Sequence, residues 1–314
     1  MRVAFIFPGQ GSQGAGMAKA FYDSFPSVRE TYEKANDILG MDIASLSFDG
    51  PEEELRKTKN AQVAILLHSV VGDALLKSMG IRPDIVAGHS LGEYSANVSA
   101  GSLELDDALH LVRFRGELMW ESGVKSPGTM SAIVGMDYEQ VEQLCREAST
   151  HGIVSVANYN SPHQVVISGE PEAVKVASEL ANSRGAKRVI ALKVSGAFHS
   201  ELMRDPAEKL SKALSKARIS DPTTPVVANW SGKMVKDSEG VGDALKRQML
   251  SPVLWIDSIK TMLEFGAECF VEVGPGKVLL GLLKRTDSKV AMYSVADTKS
   301  LESTVKALEQ EIPR

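Results

Sequence analysis

Residues 3–7 form an unbroken apolar run that stops at Pro8 and meets glycines at 9, 11 and 14. A run this short, apolar in both phases, predicts a buried strand entering a glycine-rich loop. Residues 17–80 then read mostly as helices. The stretch 62–79 is the most apolar of them, with Gly80 placed to end it. After Pro83 the run 85–87 predicts a second short strand. It leads into Gly88-His89-Ser90-Leu91-Gly92 and helices over 91–100 and 102–121.

The pattern changes at Ser126-Pro127-Gly128. Beyond it the periods predict a strand at 129–134, a helix at 138–148, strands at 154–158 and 164–168, a helix at 170–184 and a strand at 187–194. That β-α-β-β-α-β order is the ferredoxin-like signature. From Ser195 a longer pattern resumes: a helix from Ser200 that Pro206 is placed to bend, strands at 225–229 and 268–273, then Gly274-Pro275-Gly276 and an apolar helix at 278–283. Strands alternating with helices indicate an α/β fold with a mainly parallel sheet. The expected division is a discontinuous large domain, 1–127 with 195–314, and an inserted ferredoxin-like subdomain, 128–194.

Composition narrows the function classes. The 314 residues carry 40 acidic against 35 basic side chains, a net charge of −5, which argues against a nucleic-acid binder. No window is expected to span a membrane. The N-terminal apolar run is too short for a secretory leader, so the expected location is the cytoplasm, and the expected state a monomer. The two cysteines, Cys145 and Cys269, lie far apart among apolar neighbours. They read as small buried hydrophobes rather than a disulfide or a metal site.

Gly88-His89-Ser90-Leu91-Gly92 is a G-x-S-x-G between a predicted strand and a predicted helix, the context a nucleophile elbow requires. The turn would lift the Ser90 hydroxyl out of the sheet and set the Leu91 amide at a helix N-terminus, able to face an oxyanion. Among six histidines, His68 and His110 fall within helices, His151 and His163 flank loops, and His89 belongs to the elbow itself. His199 sits in a strand-to-helix loop, where α/β sheets place their sites, and is the candidate base. Gly9 to Gly14 matches G-x-G-x-x-G literally, but the region where a second strand should follow reads as helix, so a dinucleotide site is rejected. The loop could instead offer the Gln10 amide as a second oxyanion donor. Gly276-Lys277 is no phosphate loop, because Val271 occupies the glycine position of that motif. Arg115 falls on the flank of an apolar helical stripe. An internal salt bridge and a fork held open for a carboxylate both fit that position.

FPGQGSQ at the start, GHSLGEY around Ser90, RGELM from Arg115, NYNSP around Asn160, GAFHS around His199 and EVGPGKVL near the end occur in one order. With these the chain resembles, essentially end to end, the malonyl-CoA:acyl carrier protein transacylases and related polyketide synthase acyltransferase domains. The resemblance implies a hydrolase-like α/β domain and transfer of malonyl from coenzyme A to a carrier protein, with no metal or other cofactor. It implies Ser90 as nucleophile, His199 as base, and Gln10 and Leu91 amides as oxyanion hole. Arg115 would grip the malonyl carboxylate, the main-chain carbonyl of Gln248 would orient the histidine, and Asn160 would line the site. Phe198 would favour malonyl over methylmalonyl by bulk. Trp120 and Val63 depart from residues many relatives carry. An acidic carrier would need a basic patch, for which Lys187, Arg188, Lys284 and Arg285 are candidates. A thioesterase using the same pair and a non-catalytic carrier-binding scaffold are the rival readings.

Overall fold

The computed structural model describes residues 1–311. Among these residues ten strands fall into two sheets. The larger contains β1 (Arg2–Phe7), β2 (Ile85–Gly88), β7 (Val226–Val227), β8 (Met234–Val235), β9 (Ala267–Val273) and β10 (Ala291–Val295), in the order β10-β9-β1-β2-β7-β8. All neighbours pair parallel except the edge strand β8. The smaller sheet contains β3 (Thr129–Val134), β4 (Val154–Ser161), β5 (Gln164–Gly169) and β6 (Arg188–Ala191), antiparallel throughout in the order β4-β5-β3-β6. This is the strand order of the ferredoxin-like motif expected from the sequence.

Central strand β1 shows why the apolar run has no polar face. Val3, Phe5 and Phe7 point into one core, with the helices Thr58–Ser78 and Leu105–Lys125; Ala4 and Ile6 point into the other, with Trp255, Ile259 and Leu283. A sheet covered on both faces needs apolar residues in both phases. In the small sheet the same two-residue period divides β3 and β5. Ile133, Val165 and Ile167 meet the helices Tyr138–Ala148 and Pro171–Ser183, while Met130, Ala132 and Val166 join the core shared with the large sheet. Tyr159 and Val253 close this junction through amide bonds: Tyr159 N–H to Val253 O at 2.9 Å and Val253 N–H to Ala157 O at 2.8 Å.

Several expectations need correction. The helices Ser238–Gln248, Trp255–Glu264 and Thr298–Glu311 and the strand β10 are not singled out by the hydrophobic pattern. The strand expected at 225–229 pairs over two residues only, and that expected at 187–194 ends at Ala191. Pro206 does not bend a helix. It is the third residue of Arg204–Leu214, where its missing N–H would have had no intrahelical partner. One helix, Thr58–Ser78, is after all long and apolar enough to cross a membrane by length and composition. However, 78% of its apolar window is buried inside the protein, where it serves as the main core helix.

Candidate active site

The elbow forms because β2 delivers Ser90 into a turn only small neighbours allow. Ser90 has φ 51°, in the left-handed region, a strained conformation that bulky residues avoid. A Cβ on Gly88 would lie 1.9 Å from the Gly92 carbonyl, and one on Gly92 would lie 2.0 Å from Phe7 O on β1. Both glycines are therefore required by close backbone approach. Asn229, just past β7, braces the turn: its Oδ1 accepts from the Ser90 amide at 2.7 Å and its Nδ2 donates to Gly88 O at 2.7 Å.

His199, 109 residues away in the chain, meets this serine. Its Nε2 lies 2.8 Å from Ser90 Oγ, and its Nδ1 lies 3.0 Å from Gln248 O and 3.1 Å from Ser251 O. Two carbonyl acceptors at Nδ1 place the ring proton there and leave Nε2 free to accept from the hydroxyl. His199 also has positive φ, 57°, one of three such non-glycine residues among those described. Burial, then the nearby Arg115 cation, push its pKa down to about 3, so the ring is neutral near pH 7.

Arg115 is fully buried yet its contacts are neutral: Nη1 donates to Gln62 Oε1 at 2.7 Å, and Nη2 to Ser90 Oγ at 3.0 Å and Gln248 Oε1 at 3.1 Å. Its Nε has no partner, and the Tyr94 ring lies 5.7 Å from the guanidinium. The internal salt bridge weighed from the sequence does not form among the described residues. A buried fork beside the serine, unneutralised by contact, is suited to an incoming carboxylate.

Ser90 and His199 open onto a cavity of about 480 Å³ between the two sheets; Arg115 does not line it and lies behind Ser90, whose hydroxyl it contacts. Gln10, Asn160 and Phe198 line it with Ser90 and His199, and Met130, Ala132 and Val166 form its apolar side. Leu91 lies at the start of the helix Gly92–Ser99 and is fully buried. Asn160 reaches the site through His89, whose Nε2 lies 2.8 Å from its Oδ1, so His89 is turned away from the serine hydroxyl. Trp120 and Val63 do not line the cavity.

The basic candidates separate. Arg285 reaches the rim by donating to Gln164 at 3.1 Å, while Lys187 folds over Gly135. The cations lining the mouth are instead Arg56 and Lys193, which the sequence reading did not name. It also missed the supporting roles of Gln62, Asn229, Glu93 and Ser251. Asn229 carried a signal in its place at the end of a predicted strand, and Glu93 in its place within GHSLGEY; Gln62 and Ser251 are brought in by packing from distant segments. The G-x-G-x-x-G loop is followed by helix Pro26–Leu39 where a dinucleotide fold has its second strand, in agreement with the sequence.

The described geometry has counterparts among known proteins. The acyl transferase domain family matches residues 4–306. A malonyl CoA-acyl carrier protein transacylase of Bacillus subtilis (strain 168) is 43% identical over 311 residues, covering 99% of this chain and 98% of its own length. An acyl carrier protein S-malonyltransferase from Vibrio cholerae has a TM-score of 0.92 at 39% identity, covering 97% of this chain and 100% of that one. A malonyl-transacylase solved in complex with a type II PKS acyl-carrier protein has a TM-score of 0.94 at 41% identity, over 98% of this chain and 100% of that one. With a family match over nearly its whole length, this chain belongs to the acyl transferase family and, within it, to the malonyl CoA-acyl carrier protein transacylases.

Proposed function

We propose that this chain transfers a malonyl group from malonyl-CoA to the phosphopantetheine thiol of an acyl carrier protein through a malonyl ester on Ser90. The observation that carries the reading is the contact of Ser90 Oγ, in the cavity wall, with His199 Nε2 at 2.8 Å and with the buried Arg115 Nη2 at 3.0 Å. His199 takes the hydroxyl proton as Ser90 Oγ bonds to the thioester carbon. The oxyanion is held by the amides of Gln10 and Leu91, an effect of about 2.7–4 kcal/mol per donor in comparable sites. The carbon–sulfur bond then breaks and the imidazolium returns its proton to the coenzyme A thiolate. In the second half the carrier thiol gives its proton to His199, attacks the ester, and the proton ends on Ser90. Arg115 holds the malonyl carboxylate in both halves, Phe198 limits room beside its α-carbon, and Gln248 O keeps His199 in the required tautomer. Nothing in this sequence of bond changes calls for a metal or a redox cofactor.

The same proposal places the protein in the cytoplasm, as a monomer serving fatty-acid or polyketide synthesis. The domain division at 127/128 and 194/195 is supported by the four strands of the small sheet, all drawn from residues 129–191. Intact-protein mass spectrometry after mixing with malonyl-CoA tests the chemistry. A malonyl adduct is expected on the unaltered chain and none on Ser90→Ala. An adduct surviving that substitution removes Ser90 from its role, and rapid release of free malonate without carrier indicates a thioesterase instead.

A further inference from the structure

One buried carboxyl supports the nucleophile, the histidine and the arginine without touching any of their reacting atoms. Glu93, in the first turn of Gly92–Ser99, is 1% exposed. Its Oε2 accepts from Gln248 Nε2 at 2.6 Å and from the Asn229 amide at 3.2 Å. Gln248 in turn donates to Ser90 O at 2.8 Å, accepts from Arg115 at 3.1 Å through Oε1, and offers its main-chain oxygen to His199 Nδ1 at 3.0 Å. Asn229 holds both sides of the elbow.

The Gln248 side-chain amide is the joint in this arrangement. Turned over, its NH₂ would face the Arg115 N–H groups, and its oxygen would face Ser90 O and Glu93 Oε2. Donor would then meet donor, and acceptor would meet acceptor. A carboxyl kept out of water without a cation in contact is costly, and a hydrophobe could fill the same space. What the carboxyl adds is an acceptor at one point.

We propose that Glu93 is a positioning residue for acyl transfer: its Oε2 fixes the Gln248 amide and the Asn229 main chain, and through them the Gln248 carbonyl that orients His199, the Arg115 fork and the turn at Ser90. The role needs the acceptor oxygen and not the charge. It rests on the reading of Ser90 as nucleophile, so one readout is chosen to be independent of turnover.

Two conservative variants separate reach from charge. Glu93→Gln keeps an oxygen at full reach without charge; Glu93→Asp keeps the charge but draws the oxygen back by about 1.5 Å. The kcat and KM for malonyl-CoA are measured for each, together with the His199 Nδ1–H resonance by NMR. Glu93→Gln is expected to retain both the rate and the resonance. Glu93→Asp is expected to shift or lose the resonance and to reduce kcat about ten- to hundredfold with little change in KM, the scale of a displaced catalytic group. Equal damage in both variants, a slower Gln than Asp, a loss confined to KM, or an unaltered resonance in Glu93→Asp overturns the proposal. If the unaltered chain forms no malonyl adduct, the functional reading fails, while the resonance still decides whether Glu93 positions His199.

Discussion

At the scale of single residues the site combines a cation that has no anion in contact with a base that carries no charge. Arg115 donates to the neutral Gln62, Ser90 and Gln248 side chains, so a carboxylate that takes their place gains a charge-assisted pairing. Arg115→Ala is expected to reduce malonyl acylation about 10- to 100-fold, from roughly 1.5–3 kcal/mol per charged hydrogen bond, with acetyl acylation changed much less. Competition between malonyl-CoA and acetyl-CoA for the adduct measures it, and an unchanged preference would remove the carboxylate grip. His199 yields a second prediction. With its pKa down at about 3, chiefly by burial, the base stays unprotonated as pH falls. Single-turnover acylation is expected to be flat from about pH 8 to pH 5, whereas a histidine near its usual value of about 6.5 would already have lost most of its free base at pH 5.

At the scale of elements, the elbow works because β2, the helix Gly92–Ser99 and the end of β1 approach more closely than side chains permit. Gly92→Ala would place a methyl 2.0 Å from Phe7 O. Main chain in a central strand has little room to yield, so about 3 kcal/mol or more of stability should be lost, at the upper end of overpacking costs. Chemical denaturation reads the loss, and the malonyl adduct should disappear with it. The same elements show what pattern could reveal. β1 is legible from its apolar run at residues 3–7, and β2 with the helix after the elbow because an apolar run, small residues and a helical period sit together between residues 85 and 100. Helices Ser238–Gln248 and Trp255–Glu264 were not singled out: one is short and largely polar, and the other follows a proline-containing loop with no clear N-cap side chain. Yet the first supplies Gln248, and the loop between them supplies Ser251.

For the whole molecule, four buried titratable groups bear on how stability follows pH. His199 and His68 titrate at about 3 and about 4 in the folded chain against 6.5 unfolded, both lowered first by burial. The unfolded chain therefore takes up their protons first, and their contribution is whole above pH 6.5 and shrinks as pH falls toward the folded values. Glu93 and Glu272 titrate at about 7 against 4.5, raised first by burial. Here the folded chain takes up the protons first, so their contribution is whole below pH 4.5 and is lost as pH rises through 7. Between pH 4.5 and 6.5 the two pairs oppose each other; below 4.5 the histidines are joined by carboxylates held low by hydrogen bonds, such as Asp42 and Asp297. The thermal midpoint is expected to vary little across the first window and to fall steeply below it, as calorimetry over a pH series would show. A midpoint falling steadily from pH 6.5 downward would mean that the buried acids do not offset the histidines.

Local order alone settled a good part of this protein. The alternation of apolar runs and helical periods determined an α/β fold with a ferredoxin-like insertion. Gly88, Ser90 and Gly92 determined a tight turn presenting a hydroxyl, because those constraints act between residues within a few positions of each other. Only the tertiary structure decided that His199 reaches Ser90, that Arg115 has no carboxylate in contact among the described residues, and that Glu93, Asn229 and Gln248 hold them in register. These relations join segments more than a hundred residues apart for most pairs. Hydrogen-bond direction and burial, which set their geometry and charge states, exist only once the chain has closed on itself.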